Sequence, residues 1–243
     1  MKLIKLDAID STNDFLKDLA RNSDIENFTI VITNNQTKGK GQMGAKWDSE
    51  VGKNLIMSVL IKNLTIEFSE IFNLNSAVST AIIQVLKELN IPMVSIKWPN
   101  DIMSDNKKIG GILIENSFKS DNTIDSVIGI GLNVNQKDFL NLPNASSLSV
   151  VTNLEFDLEM ILQKIIDEIK NNYSLLSSQQ SDFIKELYHQ NLFKKGIPMA
   201  FEDKNGTRFM GIIQEVSNEG LLQVIHEDDS VHLYDLKEIQ MLY

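Results

Sequence analysis

Cysteine is absent from the 243 residues, which removes disulfides, thiolate metal sites and a cysteine nucleophile together and leaves the redox compartment open. Arginine is almost absent too: Arg21 and Arg208 are the only two. Proline is scarce, at 4 residues, and glycine ordinary, at 12, in a chain that is 42% hydrophobic and 23% charged. That excludes collagen-like, disordered and low-complexity classes. Positive charge is outnumbered, 23 Lys and Arg against 33 Asp and Glu for a net −10, so nothing global draws the chain to DNA or an anionic membrane. No apolar run approaches the roughly 18 residues of a membrane span. The opening MKLIKLDAID is interrupted by Lys2, Lys5 and Asp7 and lacks the apolar core of a signal peptide. These exclusions point to a globular protein of the cytoplasm, one large domain with or without a small second one.

What is present has a clear order. Residues 2–7 alternate like a strand, and Ser11-Thr12 offers an N-cap to a helix whose Phe15, Leu16, Leu19 and Ala20 share a face. Strands are expected at 28–33, 54–61, 94–97, 101–104, 109–115 and 124–134, with a turn at Asp105-Asn106, and helices at 69–90, 157–176 and 181–192. Between the second and third strands, residues 34–53 are polar, glycine-bearing and without period, and a loop of that length inside a domain is usually functional. Past Leu192 the texture becomes four or five short strands, punctuated by Asn205-Gly206, Asn218 to Gly220 and Glu227 to Asp229. This is the signature of a small β-barrel following an α+β domain.

Four segments carry candidate chemistry. Gly39-Lys40-Gly41-Gln42-Met43-Gly44 matches the dinucleotide pattern in letters only, because five polar residues separate it from the strand and no helical period follows. Val94-Ser95-Ile96-Lys97 resembles a kinase strand, but no H-R-D or D-F-G accompanies it. What the glycine segment does offer is bare backbone N–H groups and lysines able to wrap a phosphate or carboxylate. Trp47 beside it is either a stacking surface or a lid packed on the core. In Lys97-Trp98-Pro99-Asn100-Asp101, Pro99 sets a rigid bend that presents an amide and a carboxylate next to a lysine, a set able to take phosphate, nucleotide or Mg²⁺, or to be a plain strand-ending turn. Lys107 to Glu115 and Gly129 to Asn133 place glycines inside apolar strands, where either a bulge or a closely approaching ligand accounts for them. The three histidines, His189, His226 and His232, have no ligand spacing, and Trp98 and the methionines read as packing.

Taken in order, Ser11-Thr12-Asn13, Gln36-Thr37-x-Gly39-x-Gly41-x-x-Gly44-x-x-Trp47, Lys97 to Asp101, Lys108-x-Gly110-Gly111-Ile112-Leu113-x-Glu115 and Gly129-x-Gly131-x-Asn133 resemble the biotin protein ligases. The motifs span about the first 135 residues, and the C-terminal β-module suits the remainder. The resemblance implies an α+β, class II synthetase-like (biotin/lipoate ligase) catalytic domain with a mixed sheet over 1–191 and an SH3-like β-barrel over 192–243. It implies ATP and Mg²⁺ as cofactors, biotin as substrate, and the carrier domain of a biotin-dependent carboxylase such as acetyl-CoA carboxylase as acceptor. By position, Ser11, Thr12 and Gln36 would hold the biotin ring, Gly39, Gly111, Gly129 and Gly131 would let the backbone close around it, and Lys40 would lie on the loop beside it. Lys108 would contact the carboxylate and then the α-phosphate, with Lys40 and Asp101 completing the catalytic set. Trp47, Asn100, Asn133 and Gln42 would serve the adenylate, and Asp101 is the candidate Mg²⁺ ligand.

The chain departs from the family pattern G-R-G-R-x-G-R-x-W at Lys40, Gln42 and Ala45, where arginines are usual. Lys40, Lys46 and Lys108 are expected to supply the charge instead, without the bidentate fork. The early first strand leaves no room for the DNA-binding domain some relatives carry, so direct DNA contact is not expected, nor is a membrane role; relatives often pair as homodimers through the catalytic sheet. The alternatives are a lipoate or octanoate ligase and a non-catalytic biotin or nucleotide sensor.

Overall fold

The computed structural model describes residues 2–139, 142–178 and 180–243. Leu55–Leu64 (β3), free of glycine and proline, is buried along almost its whole length, as a strand covered on both faces must be. Around it assemble Leu3–Ile9 (β1), Ile30–Gln36 (β2), Val94–Lys97 (β4), Asp101–Ser104 (β5), Lys107–Phe118 (β6) and Ile124–Leu132 (β7), in the order β1-β2-β3-β7-β6-β5-β4. β1 and β2 are parallel and the other neighbours antiparallel, so the sheet is mixed.

Alternate side chains of a strand go to opposite faces. Ile30, Met57, Val59, Ile61, Ile128 and Ile130 join a core with Leu74, Val78 and Ile82 of Phe72–Glu88 (α2) and Ile161, Ile165 and Ile169 of Leu158–Ser177 (α4). Ser181–Gln190 (α5) packs beside α2 and α4. On the other face, Leu16 of Thr12–Asn22 (α1) meets Val31, Leu60 and Val127. The residues alternating with Ile128 and Ile130 are Gly129 and Gly131, so this second face is bare where β7 passes the start of α1. Ser11 caps α1 as the sequence suggests, its side chain accepting from the Asp14 N–H at 3.4 Å.

Several boundaries differ from the sequence reading. β2 runs on to Gln36 because β1 lies alongside and pairs with it as far as Ile9↔Gln36; Gln36 therefore ends a strand rather than opening a loop. β6 extends beyond 109–115 at both ends, its polar flanks pairing with β5 and β7. A five-residue helix, Leu148–Thr152 (α3), capped by Ser147, is too short to show a period. The segment 39–47 is a small closed hairpin: Lys40 and Lys46 bridge, the Trp47 N–H donates to the Gly39 carbonyl at 3.0 Å, and that of Gly41 to Ala45 at 2.7 Å. The strands approach so closely because Gly39 is bare; a Cβ there would lie 2.2 Å from the Trp47 carbonyl oxygen.

Pro198–Asp203 (β8), Arg208–Val216 (β9), Leu222–His226 (β10), Val231–Tyr234 (β11) and Ile239–Leu242 (β12) form a five-stranded antiparallel SH3-like sheet in the order β11-β10-β9-β8-β12. Its turns fall where Asn205-Gly206 and Glu227 to Asp229 place them, with Gly206 at φ 81° and Asp229 at φ 63°. The two sheets are joined at the Lys97 to Asp101 bend, which contains a cis Trp98-Pro99 bond. The buried Trp98 indole N–H donates to the Gly220 carbonyl at 2.8 Å. Gly220, at φ 89°, rests so near Phe72 that a Cβ would lie 2.6 Å from its ring. Among the described residues no helix is long and apolar enough to cross a membrane.

Candidate active site

The start of α1, the end of β2, the 39–47 hairpin and the glycine stretches of β6 and β7 converge on a cavity of about 230 Å³ on the bare face of the large sheet. Its polar end is a connected network. The Thr12 backbone N–H and hydroxyl both donate to Gln36 Oε1, at 2.8 and 3.0 Å, which fixes the carboxamide with its nitrogen toward Gly39. Ser58, fully buried on β3, sits 2.8 Å from Thr12 Oγ1 and 2.6 Å from Asn13 Oδ1, with one proton to share. Asn13 Nδ2 donates to Glu115 Oε2 at 2.8 Å. The sequence places Asn13 in a motif without assigning it a contact, and Ser58 in a strand without singling it out. A Cβ on Gly129 would stand 2.5 Å from Asn13 Oδ1, so that glycine makes room for Asn13.

The opposite end carries the charges. Lys108 Nζ lies 2.5 Å from Asp101 Oδ1, and Lys97 reaches the same carboxylate at 3.9 Å with its ammonium 5.0 Å from the Tyr243 ring centre. Asp101 thus holds Lys108 at the cavity wall. Asn100 is mostly buried and exchanges backbone and side-chain bonds with Ile112, its Nδ2 donating to the Ile112 carbonyl at 2.5 Å; it fixes the bend against β6. Lys40, at the cavity edge, is paired with Asp14 at 2.5 Å, while Lys17 bridges Asp14 and Glu115 at 3.0 and 2.6 Å. Partial burial works to raise the Asp14 carboxyl, but the two lysines override it and hold the group below its ordinary range.

Trp47 lies across the middle. Its ring covers the sheet where Gly131 and Gly111 are bare: a Cβ would lie 2.4 Å from the ring at Gly131 and 3.4 Å at Gly111. Lys108 Nζ is 5.6 Å from the ring centre. The indole N–H is buried and unpartnered, an arrangement that leaves a hydrogen bond for something else to accept.

Of the residues singled out in the sequence, Ser11, Thr12, Gln36, Lys40, Gln42 and Trp47 line the cavity together with Asn100, Asp101, Lys108, Gly111, Gly129 and Gly131. Two lie behind it. Gly39 is closed against Trp47, and Asn133 is buried with its Nδ2 donating to the Ser146 carbonyl at 3.0 Å, anchoring the segment that leads into α3. Among the described residues no three His, Asp or Glu side chains cluster as metal ligands. Among the described residues lining the cavity Asp101 is the one carboxylate, the kind of group that holds Mg²⁺ when substrate phosphates and water complete the shell.

A profile of the biotin/lipoate A/B protein ligase family matches residues 6–133. The bifunctional ligase/repressor BirA of Bacillus subtilis is 32% identical over 224 residues, covering 90% of this chain and 68% of that protein. The biotin–[acetyl-CoA-carboxylase] ligase of Mycobacterium tuberculosis is 26% identical over 92% of this chain and 86% of its own. Among solved structures, the biotin protein ligase of Aquifex aeolicus in complex with biotin and ATP superposes with a TM-score of 0.82 at 25% identity, covering 99% and 98% of the two chains.

Proposed function

The chain belongs to the biotin/lipoate A/B protein ligase family, and from that footing we propose that it is an ATP-dependent biotin protein ligase whose acceptor is a carboxylase carrier domain. The observation that carries this reading is the pairing of Lys108 with Asp101 at one end of a cavity floored by Gly111 and Gly131 and closed at the other by the Thr12–Gln36 network. One end suits a carboxylate joining a phosphate, the other a polar ring rich in N–H and C=O groups.

A carboxylate is a poor electrophile. In the first step an oxygen of the biotin carboxylate attacks the α-phosphorus of ATP, the bond to pyrophosphate breaks, and pyrophosphate leaves. In the second, the neutral ε-amine of the acceptor lysine attacks the carbonyl carbon of the mixed anhydride. The carbon–oxygen bond breaks, AMP leaves with its electron pair, and the amine's surplus proton passes to solvent.

In the first step negative charge is redistributed over the phosphate oxygens, and a cation already in place lowers that barrier without reorganising. Lys108 supplies it and Asp101 positions it. Mg²⁺, held by Asp101 and the phosphates, would add charge neutralisation. Ser11, Thr12 and Gln36 take the biotin ring, Gly111, Gly129 and Gly131 keep the sheet low beneath it, and Asn100 holds the bend. Gln42 lines the phosphate side, and Gly39 and Asn133 act from behind, on the hairpin and on the 146–148 segment. Lys40 becomes available once it leaves Asp14. Trp47 covers the adenylate, as water exclusion requires of a hydrolysable intermediate. The cavity, at about 230 Å³, is smaller than the roughly 300–1,000 Å³ usual for such ligands, and the Trp47 ring, lying against Gly131 and Gly111, takes up space between its two ends.

The test is ATP-dependent transfer of biotin to a purified carrier domain, with lipoate in parallel. The expected result is transfer of biotin alone, reduced about 1,000-fold in Lys108→Ala, the scale of losing a positioned transition-state donor or cation. Biotin binding without adenylate formation would replace the ligase reading with that of a sensor.

A further inference from the structure

A second hollow, of about 180 Å³, opens beside the first, and Gln42 and Ile112 line both. It is lined by apolar Phe72, Ile114 and Leu236, and on the side of the small domain by Glu219 and Asp235, which lie outside its strands. Among the described residues no lysine or arginine lines it. The first cavity differs in charge, with Lys40, Lys46 and Lys108 lining it against the single carboxylate of Asp101.

Both acidic side chains are held in place. Ser217 Oγ donates to Glu219 Oε2 at 2.8 Å, and this bond, with a backbone N–H, keeps the Glu219 carboxyl below its ordinary range despite slight desolvation. Glu219 precedes Gly220, whose carbonyl takes the Trp98 indole N–H and whose backbone rests on Phe72. Asp235 Oδ1 accepts from the Leu236 N–H at 2.6 Å, and the Asp235 N–H donates to Glu238 Oε2 at 3.0 Å. These bonds set two anionic groups of the small domain at the mouth of a groove whose inner end is the candidate active site.

A ligase of this kind must admit substrates of opposite charge. Its small substrates are anions and suit the lysine-lined cavity. The acceptor brings a lysine, which would meet like charge if it crossed Lys40 and Lys46. We propose that the Glu219–Asp235 groove is the docking surface for the lysine-bearing segment of the acceptor domain: the apolar lining receives the methylene stem, and the two carboxylates attract the segment's positive charge. This rests on the ligase reading above. Lysine is suited to such a surface, its long stem lying on apolar groups while its head seeks a polar rim. Glu219 and Asp235 line this hollow and not the lysine-lined cavity, so they gather the ammonium form without holding the amine protonated where it attacks. At physiological salt such attraction acts within about 8 Å, so it concerns the residues nearest the rim.

The double variant Glu219→Gln/Asp235→Asn removes both charges and keeps the acceptor atoms that order the two turns. Pyrophosphate release from biotin and ATP should be unchanged in it, while KM for a purified apo carrier domain rises about five- to tenfold and its dependence on salt flattens, the behaviour of charges at an interface rim. Glu219→Lys, on an exposed side chain, should raise that KM further. An unchanged carrier KM and salt dependence in both variants, with adenylate still formed, overturns the groove assignment alone. Absence of adenylate in the unmodified protein overturns the ligase reading instead.

Discussion

The strands of the large sheet and the turns of the small one both use glycine, for different physical reasons. In the large sheet Gly129 and Gly131 lie in an ordinary strand, and their lack of a side chain is what counts: Asn13 occupies the space of one Cβ and Trp47 that of the other. In a turn of the small sheet a Cβ on Gly206 would meet nothing within 4 Å, and its φ of 81° is what counts. Gly220, at the seam, answers to both demands. Crowding alone does not mark the cavity, since inside β9 a Cβ on Gly211 would lie 2.6 Å from Val224; what sets Gly129 and Gly131 apart is that the groups crowding them line the cavity.

The sharpest way to break that distinction is Gly131→Ala. The added methyl would meet the Trp47 ring at 2.4 Å and project into the cavity, so adenylate formation should fall by roughly 100-fold, the scale of displacing a reacting group by an ångström. Because Trp47 sits on a hairpin that can yield, the melting temperature should change little; a collapse of both together would make Gly131 a folding residue. Next come the turn glycines, read by urea unfolding. Gly220→Ala should cost about 3 kcal/mol, from overpacking added to a left-handed backbone, and Gly206→Ala about 1 kcal/mol from the backbone alone. Gly206→Ala should keep its ligase rate. A loss of rate there as large as at Gly131 would erase the comparison.

The smallest effect expected is in the pH dependence of stability, at the contact between α5 and the small sheet. His189 Nε2 lies 3.0 Å from the Val216 carbonyl oxygen and 3.1 Å from its N–H. Burial holds the imidazole below its ordinary 6.5, outweighing the opposing pull of the Val216 carbonyl. The unfolded chain therefore binds the proton first as the pH falls past 6.5, and stability drops from there down to the lower folded value. His189→Gln should flatten the melting temperature against pH across that window, and an unchanged slope would assign the dependence to other groups.

Much of this was legible in the sequence. Strands such as Leu55–Leu64 and helices such as Leu158–Ser177 announce themselves by composition and period, and the turns of the small sheet by Asn-Gly and its kin. The motif segments converge in one place because β6 and β7 pair at Gly111↔Gly131, a register that the glycines alone do not give. What stayed hidden depends on neighbours. Gln36 belongs to a strand only because β1 lies beside it. The 39–47 hairpin has no period to read, since two glycines and a positive φ at Met43 shape it. Ser58 looks like any residue of a buried strand until α1 brings Thr12 and Asn13 over it. The partner of Lys40 could not be read either: nothing in the spacing says that its ammonium rests on Asp14.

The placement of the two tryptophans, the only ones in the chain, gives the molecule separate optical reporters. Trp98 is 5% exposed, its indole bonded across the seam to Gly220, so its emission follows the seating of the small domain and shifts to the red only when that seam opens. Trp47 lies on the cavity floor with an unsatisfied N–H, so its emission follows occupancy. Substrate titration and thermal melting therefore read different rings in one cuvette, and Trp98→Phe or Trp47→Phe silences one channel at a time.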